Sequence, residues 1–300
     1  PGGRATLPAL ADSMNPSIAL VPGQASTDTA FAGIADQLDA VRHEVDLPII
    51  ELGPSAYRRT GEPLPDSVLE QLRGVDAIVM ATPPNPGKED SDIPPGLLEH
   101  GIVFALRSRL ALSVNVRRFR GSGLQSGLDI TVVRENSEGP YFSPGTVKDA
   151  GTPDEMATQD VVTTVSAVGR CLRHAFSLAL EQHVPLVIAH KVRVLTASGA
   201  VWTSTAERLA AEFPGVSWSV ENIDTCCGRV VADPAAYSVI AADNVFGDIL
   251  ADVVSARLDA GEYSVSAEYA SYGLGPTLFE PMQDTYSSEA AHEAMRDRRL

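Results

Sequence analysis

The stretch YSVIAADNVFGDILAD, Tyr237–Asp252, decides how the rest of this chain is read. Its apolar run, Tyr237 to Ala241, reads as a short strand that ends at Asp243-Asn244, and a helix is expected to start near Gly247-Asp248. On that helix Asp248 and Asp252, four apart, share a face with Cβ atoms about 5–6 Å apart. Two carboxylates that close repel each other unless a cation or a proton sits between them. Oxygen donors in such a pair suit Mg2+ or Mn2+, which keeps positions open for substrate and water. The alternative reading is local: Asp248 caps the helix and Asp252 is solvated.

The 300 residues are 44% hydrophobic, enough for one large or two medium domains with a well-buried core. No apolar run reaches the length of a membrane span. Residues Pro1 to Pro16 lack a charged segment followed by an apolar core, so they read as a flexible tail and not as a signal peptide. Cys171 and the adjacent Cys226-Cys227 fit neither a disulfide framework nor a zinc pattern. Small buried residues in a reducing, cytoplasmic protein are the expectation. The net charge of −16 argues against nucleic acid and anionic membranes as partners. An anionic substrate would therefore need a local cluster of cations. Of the 23 basic residues only Lys88, Lys148 and Lys191 are lysines, the cation type that can lose its proton.

Outward from the opening stretch, strand-like and helix-like segments alternate. Ser17 to Val21, Leu47 to Leu52 and Asp76 to Ala81 read as strands, and Asp28 to Arg42 and Ser67 to Arg73 as helices. This rhythm implies an α/β fold whose sheet is parallel or mixed, with helices on both faces. Pro83 to Pro95 is a Pro-, Asp- and Gly-rich loop and a candidate domain boundary. Leu128 to Arg134 is a strand, Val161 to about Gln182 a long helix, Pro185 to Ala189 a strand ending at His190-Lys191, and Ser217 to Val220 a further strand. Charged residues gather at the carboxyl ends of strands, where open α/β sheets place their sites.

Arg107, Arg109, Arg117, Arg118 and Arg120 fall within fourteen residues of an otherwise acidic chain. Guanidinium forks bind carboxylates bidentately, so this is a candidate anion clamp; the alternative is a basic face paired to surface acids. Arg134 ends its strand and could converge on the same place. Tyr141 could serve as a general acid, and Lys191, at a strand end, as a base or proton relay. Asp224 is a candidate third oxygen ligand.

Taken together, these segments resemble the β-decarboxylating dehydrogenases, the family of isopropylmalate, isocitrate, tartrate and D-malate dehydrogenases. The likeness runs from about Gly101 to Pro281, with a weaker fold-level match from Ser17. ALRSRLALSVNVRR resembles the family's arginine segment and makes Arg107 and Arg117 binders of the substrate carboxylate. VVRENSEGPYF resembles the segment that supplies a third arginine, Arg134, and the catalytic tyrosine, Tyr141. AHKVRVL is similar to the segment with the catalytic lysine, Lys191. Asp224, Asp248 and Asp252 have the spacing of the family's three-aspartate metal site. The resemblance implies a two-domain fold, divided as 1–105 plus 262–300 and 106–261. It also implies a homodimer with shared active sites, in which the lysine and first aspartate come from the partner subunit. The segment Leu97 to Leu106 matches the family's specificity helix, where Val103 and Phe104 imply partly apolar contacts.

The segments that bind NAD(P) in the family depart from its pattern. The glycine-rich opening is Gly23-Gln24-Ala25-Ser26-Thr27-Asp28-Thr29, and the loop before the arginine segment is Thr82-Pro83-Pro84-Asn85-Pro86-Gly87. His100 stands where a glutamate is expected, and Glu280-Pro281 continues as Met282-Gln283-Asp284 without the family's histidine and aspartate. The chain also stops where family members continue. Asn244 is the one cofactor-side residue kept, so NAD(P) binding is left open while Mg2+ or Mn2+ is expected. The expected function is metal-dependent chemistry on a small carboxylated 2-hydroxy or 2-oxo acid, by β-decarboxylation or proton transfer through an enolate. The alternatives are an NAD(P)-dependent oxidative decarboxylase of a malate-type substrate with a rebuilt cofactor site, and a non-catalytic metabolite-binding subunit.

Overall fold

The computed structural model of the chain describes residues 15–22, 29–81, 92–121, 127–258 and 263–283. Nearly all of the expected tail, most of the first two departing cofactor segments and everything after Gln283 lie outside the described residues. The elements run β1 (Ile18–Val21), α1 (Thr29–Asp39), α2 (Pro54–Thr60), α3 (Asp66–Arg73), β2 (Ala77–Met80), a π-helical segment (Glu99–Phe104) leading into α4 (Ala105–Arg109), β3 (Leu112–Arg120) and β4 (Asp129–Glu135). There follow β5 (Thr146–Lys148), β6 (Met156–Thr158), α5 (Val165–Gln182), β7 (Leu186–His190), α6 (Thr196–Ala210), β8 (Trp218–Asn222), α7 (Ile223–Ala232), β9 (Val239–Ala242), α8 (Asn244–Ser255), β10 (Tyr263–Ala270) and β11 (Thr277–Gln283).

Two compact units result: Pro1–Leu110 with Tyr272–Pro281, and Ala111–Ser271 with Met282–Leu300. The first division falls beyond residue 105 because α4 is tied to unit 1: Arg109 pairs with Asp66 at 2.5 Å, and Arg73 donates to the Arg109 carbonyl at 3.0 Å. The return falls beyond residue 262 because β10 pairs with β3 inside unit 2.

In unit 1, β2 runs parallel to both β1 and β11. The segment read as a strand over Leu47 to Leu52 follows β1 through isolated bridges only, at Ser17↔Asp46 and Leu20↔Ile49. Pro48 is the reason: it has no N–H, and only its carbonyl joins the ladder, accepting from Leu20 N at 2.8 Å.

Unit 2 has the strand order β10-β3-β4-β9-β7-β8. The pairs β10–β3 and β3–β4 are antiparallel, and the other three are parallel, so the sheet is mixed. Side chains alternate across it. Val133, Val239, Ala241 and Ile188 enter a core with Leu172 and Phe176 of α5 and Trp202 of α6. Ile130, Val132, Ile240 and Ala242 enter a second core with Val230 of α7 and Leu250 and Val254 of α8. Helices thus cover both faces, as the continuous burial of residues 130–135 in β4 and of all of β9 requires. Cys171 and Cys226 are buried and Cys227 half-buried, all as thiols. Among the described residues no helix is long and apolar enough to cross a membrane.

Two helix starts differ from the sequence reading. The helix expected from Val161 begins at Val165, because Thr164 caps it, accepting from Ala167 N at 3.2 Å. The Glu138 carboxylate in turn takes the Thr164 N–H and hydroxyl at 2.7 and 2.6 Å. The helix expected from Gly247-Asp248 begins at Asn244, because Asp243 Oδ1 accepts from Phe246 N at 2.8 Å. Asp243 is therefore the cap, and Asp248 is left for another task.

Leu250 anchors α8 in the second core and is fully buried. Leu250→Ala is expected to destabilise the protein by about 2–5 kcal/mol, read as a lower urea midpoint. A loss under about 1 kcal/mol would mean that α8 is not held by this core.

Candidate active site in unit 2

The register of the sheet builds the site. On the antiparallel β3–β4 pair Arg117 lies opposite Val132 and Asn115 opposite Arg134, so both arginines share the face of Ile130 and Val132, the face that α8 covers. On the parallel β4–β9 pair Arg134 lies beside Ala242, which puts the first turn of α8 next to it.

Arg134 is 4% exposed. Its Nη1 donates to Asp248 Oδ1, and its Nε and Nη2 donate to Asn244 Oδ1 at 3.0 and 2.6 Å. The side chain crosses α8 at Gly247. A Cβ there would lie 2.9 Å from Arg134 Cγ, closer than real carbon contacts allow, so only glycine admits the crossing. The Tyr141 hydroxyl donates to Asp248 Oδ2 at 3.2 Å, and its ring centre lies 5.8 Å from the Arg134 guanidinium carbon. Burial, and next the Asp248 charge, hold the Tyr141 phenol above its ordinary pKa, so it keeps its proton at neutral pH.

Arg117, 7% exposed, reaches Asp252 with Nη1 at 3.7 Å. Its buried Nε has no hydrogen-bond partner among the described residues. Partial desolvation pushes the Asp252 carboxyl up; Arg117 pulls it down and Asp248 pushes it up again. The cations that pair with the two carboxylates are guanidinium groups. The carboxylate oxygens of Asp248 and Asp252 are donors that fit a hard divalent cation, and among the described residues no third acid or histidine joins the pair.

The other arginines of the cluster are tied to acids. Arg118 grips Asp129 bidentately at 2.8 Å, with Arg120 on the same carboxylate at 3.1 Å, and Arg109 pairs with Asp66. Arg107 belongs to unit 1, buried on α4, its guanidinium 5.5 Å from the Phe104 ring centre. His100 stacks on the same ring at 5.1 Å. Lys191 and Asp224 pair with each other at 2.5 Å, and this contact holds the Asp224 carboxyl below its ordinary pKa. The neighbour of Lys191 is thus a carboxylate. Asn244, read as a cofactor-side residue, is 1% exposed and turns its amide to Arg134 and to the Glu138 carbonyl, 2.7 Å from Nδ2.

Sequence reasoning passed over several buried polar residues. Glu135 accepts from Ser137 N, Ser137 Oγ and Glu138 N, and burial raises its carboxyl despite these bonds. His190 is fully buried, and burial lowers it to about 4, so it is neutral at pH 7. Glu135, Asp243, Phe246 and Trp202 help to line a cavity of about 190 Å³. Strand-end acids flanked by apolar residues were the available signal.

The chain matches the isocitrate/isopropylmalate dehydrogenase family over residues 17–287. It belongs to that family of enzymes. It is 36% identical to the 3-isopropylmalate dehydrogenase of Mycolicibacterium vanbaalenii over 272 residues, 88% of this chain and 80% of that protein. With the protein of the same name from Frankia casuarinae it shares 38% over 253 residues, 82% and 72% of the two chains. A β-decarboxylating dehydrogenase from Thermococcus kodakarensis, in its apo form, superimposes with a TM-score of 0.69 at 28% identity, covering 92% of this chain and 76% of that one. An isocitrate dehydrogenase from Methylococcus capsulatus shares the fold, with a TM-score of 0.76 at 24% identity over 88% and 76%.

Two outcomes follow for this family member. Gly247→Ala forces the Arg134 stem off α8, so affinity for a small dicarboxylate should fall about tenfold or more by calorimetry, the loss of one charge-assisted contact. Unchanged affinity would remove Arg134 from the site. Burial raises the Asp243 carboxyl to about 6, above an unfolded value of about 3.9. Its contribution to stability is therefore complete below about pH 4 and lost as pH rises through about 6. Asp243→Asn keeps the cap acceptor without the charge. The variant should gain on the wild type in melting temperature between pH 4 and 7, and parallel profiles would refute the assignment.

Proposed function

We propose that the Arg117, Arg134, Tyr141, Asp248 and Asp252 cluster binds a small 2-hydroxy or 2-oxo acid that carries a second carboxylate, and that the enzyme decarboxylates it or moves a proton through an enolate. The observation that carries this reading is Arg117: a buried guanidinium, weakly paired at 3.7 Å, with an Nε that has no partner among the described residues. A buried donor without a partner is costly, and a substrate carboxylate is the group that would satisfy it. Arg134 would share that carboxylate, held in its plane by Asn244. Arg107, in unit 1, enters the reading through the family resemblance alone, as do Val103 and Phe104 as apolar contacts for the substrate side chain.

Asp248 and Asp252 would hold Mg2+ or Mn2+, with Asp224 as the third ligand. When bound, such a cation would supply Lewis-acid polarisation of the substrate's 2-oxygen. Tyr141, protonated at neutral pH, would donate a proton. Lys191, once released from Asp224, would serve as the second proton-relay group. With Lys191 and Asp224 supplied by a second copy, the working unit would be a homodimer with shared sites.

The redox-neutral form of this reading rests on the departures at Gly23 to Thr29, at Thr82 to Gly87 and after Pro281. A second reading, NAD(P)-dependent oxidative decarboxylation of a 3-substituted malate, is favoured by the relatives of 36% and 38% identity that carry the name 3-isopropylmalate dehydrogenase. Calorimetry with NAD+ and NADP+ in the presence of Mg2+ separates the two. Micromolar binding, with absorbance growing at the reduced-nicotinamide wavelength when 3-isopropylmalate is added, establishes the oxidative reading and sinks the redox-neutral one. Carbon dioxide release from a 2-oxo-3-carboxylate, with no binding of either nicotinamide nucleotide, does the reverse. In either case chelation should abolish turnover and Mn2+ should restore it. Asp248→Asn should weaken the metal dependence at least about 10-fold. Turnover indifferent to both would remove the metal from the reading, and no turnover of either acid would leave only a metabolite-binding subunit.

A further inference from the structure

Asn244 joins two parts of the proposed site that reach it from different elements. Its Oδ1 accepts twice from Arg134, on β4, at 3.0 and 2.6 Å. Its Nδ2 donates to the Glu138 carbonyl at 2.7 Å, in the loop that leads to Tyr141. Beyond Glu138 the chain turns at Gly139, with φ of +89°, and a Cβ there would stand 3.5 Å from Asn244 Cβ. The turn Pro140–Phe142 begins at the next residue and carries the tyrosine. The same loop is pinned on its far side, where the Glu138 carboxylate takes the N–H and hydroxyl of Thr164, the cap of α5. The Glu138 carbonyl is thus the point at which the start of α8 holds the loop, one turn before Asp248 meets the Tyr141 hydroxyl.

From these contacts we infer that Asn244 is a positioning residue, whose amide fixes the Arg134 guanidinium and the Tyr141 loop to one another. The inference rests on the reading of this cluster as the substrate site and replaces a cofactor contact for Asn244. The chemistry requires an amide of this length. The acceptor end must meet two N–H groups of a guanidinium while the donor end meets a carbonyl, and asparagine alone offers both at one methylene from the backbone. Aspartate would place a second acceptor against the Glu138 carbonyl; alanine would leave that buried carbonyl and two guanidinium donors to find other partners. The site of attachment matters as much. Asn244 is the first residue of α8, directly after the Asp243 cap, so its backbone is fixed before its side chain is placed.

The test is a pair of double-mutant cycles with a protein-only control. With 3-isopropylmalate or a 2-oxo-3-carboxylate as substrate, Asn244→Ala is expected to raise KM and lower kcat, each about tenfold. Added to Arg134→Lys it should leave KM no worse than Arg134→Lys alone. Added to Tyr141→Phe it should leave kcat no worse than Tyr141→Phe alone. Additive effects in both cycles overturn the inference, because a merely structural residue lowers activity independently of either partner. Hydrogen exchange decides the matter even if the wild type turns over none of these acids, an outcome that removes the proposed function instead. In Asn244→Ala, or in Asn244→Ser if the alanine variant does not fold, amides of 136–142 should lose protection while those of 246–255 keep it. Loss along α8, or no loss at all, overturns the inference.

Discussion

Arg134 lies across the first turn of α8, and the rest of the site is arranged around that crossing. Three residues of one helical turn meet it: Asn244 accepts from it, Gly247 makes room for its stem, and Asp248 balances its charge. They can do so only because the helix starts at Asn244, and that start is set by the Asp243 cap. The register of β4 beside β9 completes the constraint, since Arg134 lies opposite Ala242, the last residue before the cap. A slip of one residue would turn Arg134 to the other face, into the core of Val133 and Phe176.

The electrostatics follow from the same geometry. Burying a guanidinium is tolerable when a carboxylate is near and its N–H groups are bonded. Arg134 satisfies this with Asp248 and Asn244. Arg117 does so only in part, with Asp252 at 3.7 Å and a bare Nε. Two cations and two anions thus balance one another in a chain whose net charge is −16. The pairing is uneven: one arginine is fixed and the other is incompletely satisfied.

What the sequence disclosed and what it concealed divide along physical lines. The shared face of Asp248 and Asp252 depends on helical period alone, and the existence of β4 and β9 as strands depends on their apolar residues; both were legible. The fate of Arg109, Arg118 and Arg120 was not. Arg118 and Arg120 are held by Asp129 because the β3–β4 hairpin sets Arg120 opposite Asp129, a register that no single-strand pattern contains. The true start of α8 was hidden by Val245 and Phe246, which extend the apolar character of β9 past its end. Local signals for the cap existed in Asp243 itself. Asp248, at the head of the periodic run, was the competing candidate, and only the Phe246 N–H shows which one the backbone meets. Asn244 was noticed through resemblance, but its bonds to Arg134 were not legible, because a hydrogen bond to a residue 110 positions away has no local trace.

The cluster is also positioned from within one unit. Arg117, Arg134, Tyr141, Asn244, Asp248 and Asp252 all belong to unit 2, and strand register, one cap and one glycine position most of them. The register of β3, β4 and β9 sets the face that each arginine takes, and the Asp243 cap sets the turn of α8 that meets it. Such a framework fixes a geometry and leaves the chemistry to the side chains set upon it.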